Sequence, residues 1–111
     1  VIIVSTPQDL ALLDVKRGIQ MFEKTGVKIL GLIDNMSIFK GDDGKEYKIF
    51  GEGGVKKTAK EFNKEFLGYL PLDQDLRKSA DNGEPLTYSK SDHEISKLFK
   101  SIAEKIKESF Q

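Results

Sequence analysis

The chain has 111 residues, in which eighteen basic and eighteen acidic side chains cancel, with one histidine and no cysteine. That length suits one domain with its own core, and the zero net charge excludes a global field that would gather nucleic acid or an anionic membrane. Without cysteine the chain can form no disulfide or thiolate-held metal site, which fits a reducing, cytoplasmic setting, and no apolar run approaches the ~20 residues of a membrane span. The chain opens without Met on Val1-Ile2-Ile3-Val4, a run that reads as a parallel strand buried on both faces. A chain that opens inside its own core is expected to be a piece of a longer one.

Thr6-Pro7-Gln8-Asp9 predicts a helix start, with Thr6 as cap, Pro7 where a missing N–H costs nothing, and Asp9 completing a box. Leu12, Val15, Ile19 and Phe22 repeat at helical spacing, and Gly26 supplies the stop. Val27 to Ile33 is a second buried strand, so the first third of the chain is a βαβ unit. Asn35 to Lys48 is a Gly- and Asp-rich irregular excursion. Seven lysines between Lys40 and Lys64 meet five acids in the same window, which reads as a solvated face.

A helix from about Gly54 should bury Val55, Ala59 and Phe62. Phe66 to Leu70 is a third strand, ending at Pro71, and a short helix after Asp73 stops near Asn82-Gly83. The last helix opens with a capping box from Ser91 to Glu94 and aligns Ile95, Leu98, Ile102 and Ile106. His93, in its first turn, reads as an exposed residue. The class is α/β, with at least three parallel strands and flanking helices.

Gly51 to Thr58 fits the phosphate-loop pattern G-x-x-x-x-G-K-[ST] except that Lys56 stands at the sixth position. A lysine there forfeits the glycine's conformational freedom, Glu52 would repel a polyanion, and the preceding Glu46-Tyr47-Lys48-Ile49 is half charged rather than a buried strand. The stretch therefore reads as a loop entering a helix, with Gly53-Gly54 allowing a tight approach.

Three stretches, "VIIVSTPQDLALLDVKRGIQMF", "GLIDNMSIF" with "IFGEGG", and "LGYLPLDQDLRKSADNGEPL", together resemble the C-terminal half of Mrp/ApbC-type proteins. These are P-loop ATPases that carry iron–sulfur clusters and group with MinD/ParA proteins and the nitrogenase iron protein. The resemblance covers essentially all 111 residues. It implies that residues 1–111 are the C-terminal part of one P-loop (Rossmann-like) ATPase domain whose phosphate loop lies in an N-terminal half outside them. It also implies ATP with Mg2+ in the full-length protein, a homodimer, iron–sulfur clients or assembly proteins as partners, and a cytoplasmic setting.

Residue by residue, the resemblance implies that Asn35 bonds the adenine edge and that the Pro71-Leu72-Asp73 turn closes the same pocket. An amide offers donor and acceptor together, as an adenine edge requires, and both positions follow strand ends, where open α/β sheets bind ligands. Read without the resemblance, Asn35 is equally a turn former. Asp14 matches an acidic helix position that can pair with the signature lysine of the phosphate loop, or is a solvated helix acid. Family members hold Cys-x-x-Cys after the N-M-S-x-F stretch, whereas this chain has Gly41-Asp42-Asp43-Gly44, which cannot supply the soft thiolates a cluster demands. Asp42 and Asp43 read as a polar turn rather than a hard-metal site.

The expected function is thus an ATP-binding ATPase fragment concerned with iron–sulfur cluster assembly or transfer, with no catalytic residue of its own. The alternatives are a MinD/ParA-like nucleotide switch without a cluster, and a non-enzymatic interaction module.

Overall fold

The computed structural model describes residues 1–41, 43–49, 51 and 53–110. In chain order the elements are β1 (Ile2–Ser5), α1 (Asp9–Thr25), β2 (Gly31–Lys40), β3 (Glu46–Tyr47), α2 (Gly54–Glu61), β4 (Phe66–Leu72), α3 (Gln74–Asp81), α4 (Leu86–Ser89) and α5 (Glu94–Glu108). β2 lies at the centre of a four-stranded sheet. β1 and β4 flank it in parallel, and β3 runs antiparallel to its far end.

Apolar side chains cover both faces of this sheet. On one face Leu12, Val15 and Ile19 of α1 and Val55 and Ala59 of α2 pack with Leu32, and Phe62 sits beside them. On the other, Ile102 of α5 packs with Ile33, Leu67 and Leu70, with Leu98 and Ile106 alongside. Leu32 and Ile33 point to opposite faces, as the two-residue period of a strand requires. Because both faces of β2 are covered, its first residues, 31–34, are all buried. Each such side chain larger than alanine contributes about 1.5–3 kcal/mol on burial, so the two layers are what hold α1, α2 and α5 to the sheet.

The helix ends differ from expectation more than the helix bodies do. Gly26 stops α1 in the left-handed region (φ 75°), its N–H reaching the Glu23 and Phe22 carbonyls. α1, however, starts only at Asp9. Gln8 occupies the cap in an extended conformation with no side-chain bond, and Thr6 Oγ1 donates to Gln8 Oε1 at 3.3 Å rather than accepting from a helix N–H. α5 is capped by His93, whose ring accepts from the Ile95 N–H, rather than by Ser91. The short helix α4 was not foreseen.

The strands differ too. β2 begins at Gly31, after a connector tied down by Leu30 N–H to the Val1 carbonyl at 2.8 Å. It then runs through Asn35 to Lys40, the stretch expected to be irregular, and β3 closes a hairpin onto it. In the turn, Asp43 accepts from Lys45 N–H at 2.9 Å and from Tyr47 Oη at 2.7 Å. Those bonds, the tyrosine's first, hold its carboxyl below the usual range, so Asp43 anchors the turn; Asp42 lies outside the described residues. β4 passes through Pro71 to Leu72, which a proline permits because β4 pairs only with β2 among the described residues. Val4 is 54% exposed, not buried on both faces, because the helix on that face, α5, packs on β4 rather than on β1.

Candidate functional site

The register of β2 and β4 builds the site. Asn35 pairs with Leu70, and the next pairing is Phe39 with Leu72, so β2 advances four residues where β4 advances two. The surplus bulges outward, with Met36 at φ 56° and buried Ser37 donating to the Leu70 carbonyl at 3.5 Å. A bulge re-aims side chains at the end of a strand. Here it opens a cavity of about 560 Å³ whose walls include Asn35, Phe39, Pro71, Leu72, Asp73 and Arg77.

Four of the residues singled out in the sequence, Asn35 and Pro71 to Asp73, therefore meet in one cavity, where the carboxyl end of β4 lies against the middle of β2. Asn35 is half-buried, and among the described residues its amide makes no hydrogen bond within the protein. A free amide in a largely apolar cavity can donate to and accept from one planar ligand edge at once. The Asp73 carboxylate is occupied differently from the expectation. It caps α3, accepting from Leu76 N–H at 3.0 Å, so the helix N-terminus holds it. Arg77 and Phe39 went unremarked in the sequence. Their only signal was position, one turn after the cap of α3 and four residues after Asn35.

Asp14 is not part of this cavity. It is exposed on α1, 4.0 Å from Arg17, in a separate shallow depression beside Ser5 and Thr6. His93 is not exposed as expected: its ring is 20% accessible and Nε2 lies 3.0 Å from Asp75 Oδ2. Since Nδ1 accepts from Ile95 N–H at 3.1 Å, the proton sits on Nε2 and is donated to Asp75. That bond, more than the nearby Lys90 charge, holds the Asp75 carboxyl below its ordinary value. Asp73, Asp75 and His93 lie close enough to surround an ion, yet the capping tautomer leaves no ring lone pair for one. The cluster instead clasps the start of α3, one wall of the cavity, to α5.

The near phosphate loop has a packing explanation. A side chain at Gly54 would place its Cβ 2.7 Å from Leu12 Cδ1 and 3.0 Å from the Pro7 carbonyl oxygen, so glycine is required for α2 to approach α1. Thr58 is buried and donates to the Gly54 carbonyl at 2.9 Å, a bond within the helix, and Glu52 lies outside the described residues. Sequence reasoning gave Asp34 no role. It is 5% exposed, its Oδ1 has no partner among the described residues, and burial raises its carboxyl to about 6.

Comparison with known proteins shows the family of the chain. A family model described as the NUBPL iron-transfer P-loop NTPase (ParA) matches residues 1–107. The chain is 45% identical over 106 residues to the iron–sulfur cluster transfer protein NUBPL of Dictyostelium discoideum, covering 95% of this chain and 33% of the relative. It is 39% identical to the iron–sulfur cluster carrier protein of Escherichia coli K12, covering 95% of this chain and 29% of that one. It thus spans about a third of the length of these relatives. Among solved structures, a nucleotide-binding protein from Archaeoglobus fulgidus in complex with ADP aligns with TM-score 0.66 at 37% identity, covering 79% of this chain and 37% of that one. The cell-division ATPase MinD of Pyrococcus furiosus shares the fold, with TM-score 0.76 at 21% identity over 97% of this chain and 42% of that one. With a family match across nearly all its residues, the chain belongs to the NUBPL-type iron-transfer P-loop NTPases of the ParA family.

Proposed function

We propose that this chain is the base-recognition part of an ATP-binding iron–sulfur cluster carrier, with Asn35 reading the adenine edge and the Pro71-Leu72-Asp73 turn closing over it. The observation that carries this reading is the free amide of Asn35 beside that turn in one cavity of about 560 Å³. The cavity suits a planar, largely apolar ring system with one polar edge. Arg77 adds a cation with no ion-pair partner among the described residues, positioned to meet the more polar parts of a nucleotide. Magnesium and the phosphates belong to the phosphate loop that the resemblance places outside these residues, so hydrolysis is assigned to the full-length protein. Homodimerisation, iron–sulfur clients and a cytoplasmic setting belong to the same reading; no helix among the described residues is long and apolar enough to cross a membrane.

The cluster is cargo, and this chain offers it no thiolate. Soft sulfur ligands must come from elsewhere in the full protein or from a partner. That fact also favours a second reading, a nucleotide switch of the MinD/ParA kind without a cluster. Iron and sulfide analysis of the full-length protein purified anaerobically separates the two, and ATP titration of the full-length Asn35→Ala variant tests what they share.

A further inference from the structure

A groove along α2 shares no lining residue with the Asn35 cavity. Lys56, Lys57, Lys60, Lys64, Asn63 and Phe66 line it, around about 560 Å³. Two acids, on α1 and α2, are already engaged, one of them by a lysine of the groove itself. Glu23 holds Lys64 at 2.9 Å and Glu61 holds Lys16 at 3.6 Å, while Lys56, Lys57 and Lys60 have no anionic partner among the described residues. The balance of lysines against acids along the sequence therefore does not hold on this flank.

Local helix energetics oppose two of these lysines, whereas Lys60, in the last turn of α2, suits the helix dipole. Lys56 and Lys57 lie in the first turn of α2, which holds no acid, where the positive end of the helix dipole disfavours cations. Lys56 and Lys60 are four residues apart, a spacing at which like charges repel. The Lys56 ammonium stands 5.8 Å from the centre of the Phe66 ring, which holds that charge over the groove floor. Three unpaired cations, two of them in the disfavoured first turn and one beside an aromatic ring, fit an anionic ligand.

We propose that this groove docks a short acidic peptide segment of a partner protein, in extended form, with its carboxylates paired to Lys56, Lys57 and Lys60. The chain's zero net charge gives no long-range attraction for nucleic acid or a membrane surface. A single ring, Phe66, is too little for the successive base stacking that single-stranded nucleic acid requires. An eight-residue helix is roughly 12 Å long and matches about four extended residues.

The test is fluorescence anisotropy of the labelled peptide Gly-Asp-Asp-Asp-Gly with the full-length protein. Saturable binding is expected, weakening as salt rises from about 50 to about 300 mM. The Lys57→Glu/Lys60→Glu double variant should lose about tenfold in affinity, and Phe66→Leu should weaken binding while the thermal melt keeps its shape. The charge-matched control Lys97→Glu/Lys107→Glu on α5 should bind as the parent does. No binding, or an equal loss in the control, overturns the proposal. So does tighter binding of phosphatidylserine vesicles or an oligo(dT) strand than of the peptide, which reassigns the groove to lipid or nucleic acid.

Discussion

Asn35 of β2 and Leu70 of β4 are register partners in the parallel sheet, and this pairing brings the Asn35 amide beside the Pro71-Leu72-Asp73 turn. In the full-length protein, Asn35→Ala should weaken ATP binding by roughly 1–3 kcal/mol, the loss when a buried polar partner is left unsatisfied. Preference for adenine over guanine nucleotides should fall with it. Calorimetric titration of both nucleotides checks this; an unchanged affinity and preference would return Asn35 to the role of a turn residue.

His93 serves both as cap of α5 and as clasp to Asp75. His93→Ala should cost roughly 1–2 kcal/mol of stability by loss of the cap, and His93→Asn should recover part of it because Asn also caps. Urea denaturation of the three proteins gives the comparison. Equal stability of all three would show that neither bond matters. The Asp75 carboxyl is held below its ordinary value by the His93 bond, so its contribution is present above the ordinary carboxylate range and is lost as pH falls through the depressed value. Asp75→Asn should therefore flatten the acid limb of the stability profile.

Asp34 predicts the opposite sign. Its carboxyl is raised from 3.8 to about 6 by burial, so the folded state favours the protonated form. Above pH 6 the ionised, unpartnered carboxylate costs up to about 3 kcal/mol, and the cost disappears as pH falls toward 4. Asp34→Asn should raise Tm at pH 7 and remove this dependence. If the parent chain shows no gain in Tm between pH 7 and pH 5, the carboxylate has found a partner in the assembled protein.

The hairpin turn makes a fourth prediction. Asp43 is committed to Lys45 and Tyr47, and the chain has no cysteine. Anaerobic reconstitution of these 111 residues with iron and sulfide should produce no cluster absorbance. A sulfide-dependent chromophore that survives desalting would mean that non-thiolate ligands hold a cluster here.

The sequence by itself determined the elements and half of the site. Apolar spacing specified the α1 and α5 stripes, a glycine able to adopt positive φ marked the end of α1, and the resemblance singled out Asn35 and Pro71-Leu72-Asp73. The first two are local, set by a period of 3.6 residues or by one residue's backbone freedom. The tertiary structure decided what depends on residues far apart in the chain. The β2 bulge that opens the cavity exists because Phe39 pairs with Leu72. His93 is a clasp because Asp75, eighteen residues earlier, lies across from it. Asp34 is isolated because the sheet buries it without supplying a donor. The lysines of α2 are unpaired because Glu61 and Glu23 are drawn to other partners. Partner choice is a property of three-dimensional proximity, and no one-dimensional pattern of charge or hydropathy carries it.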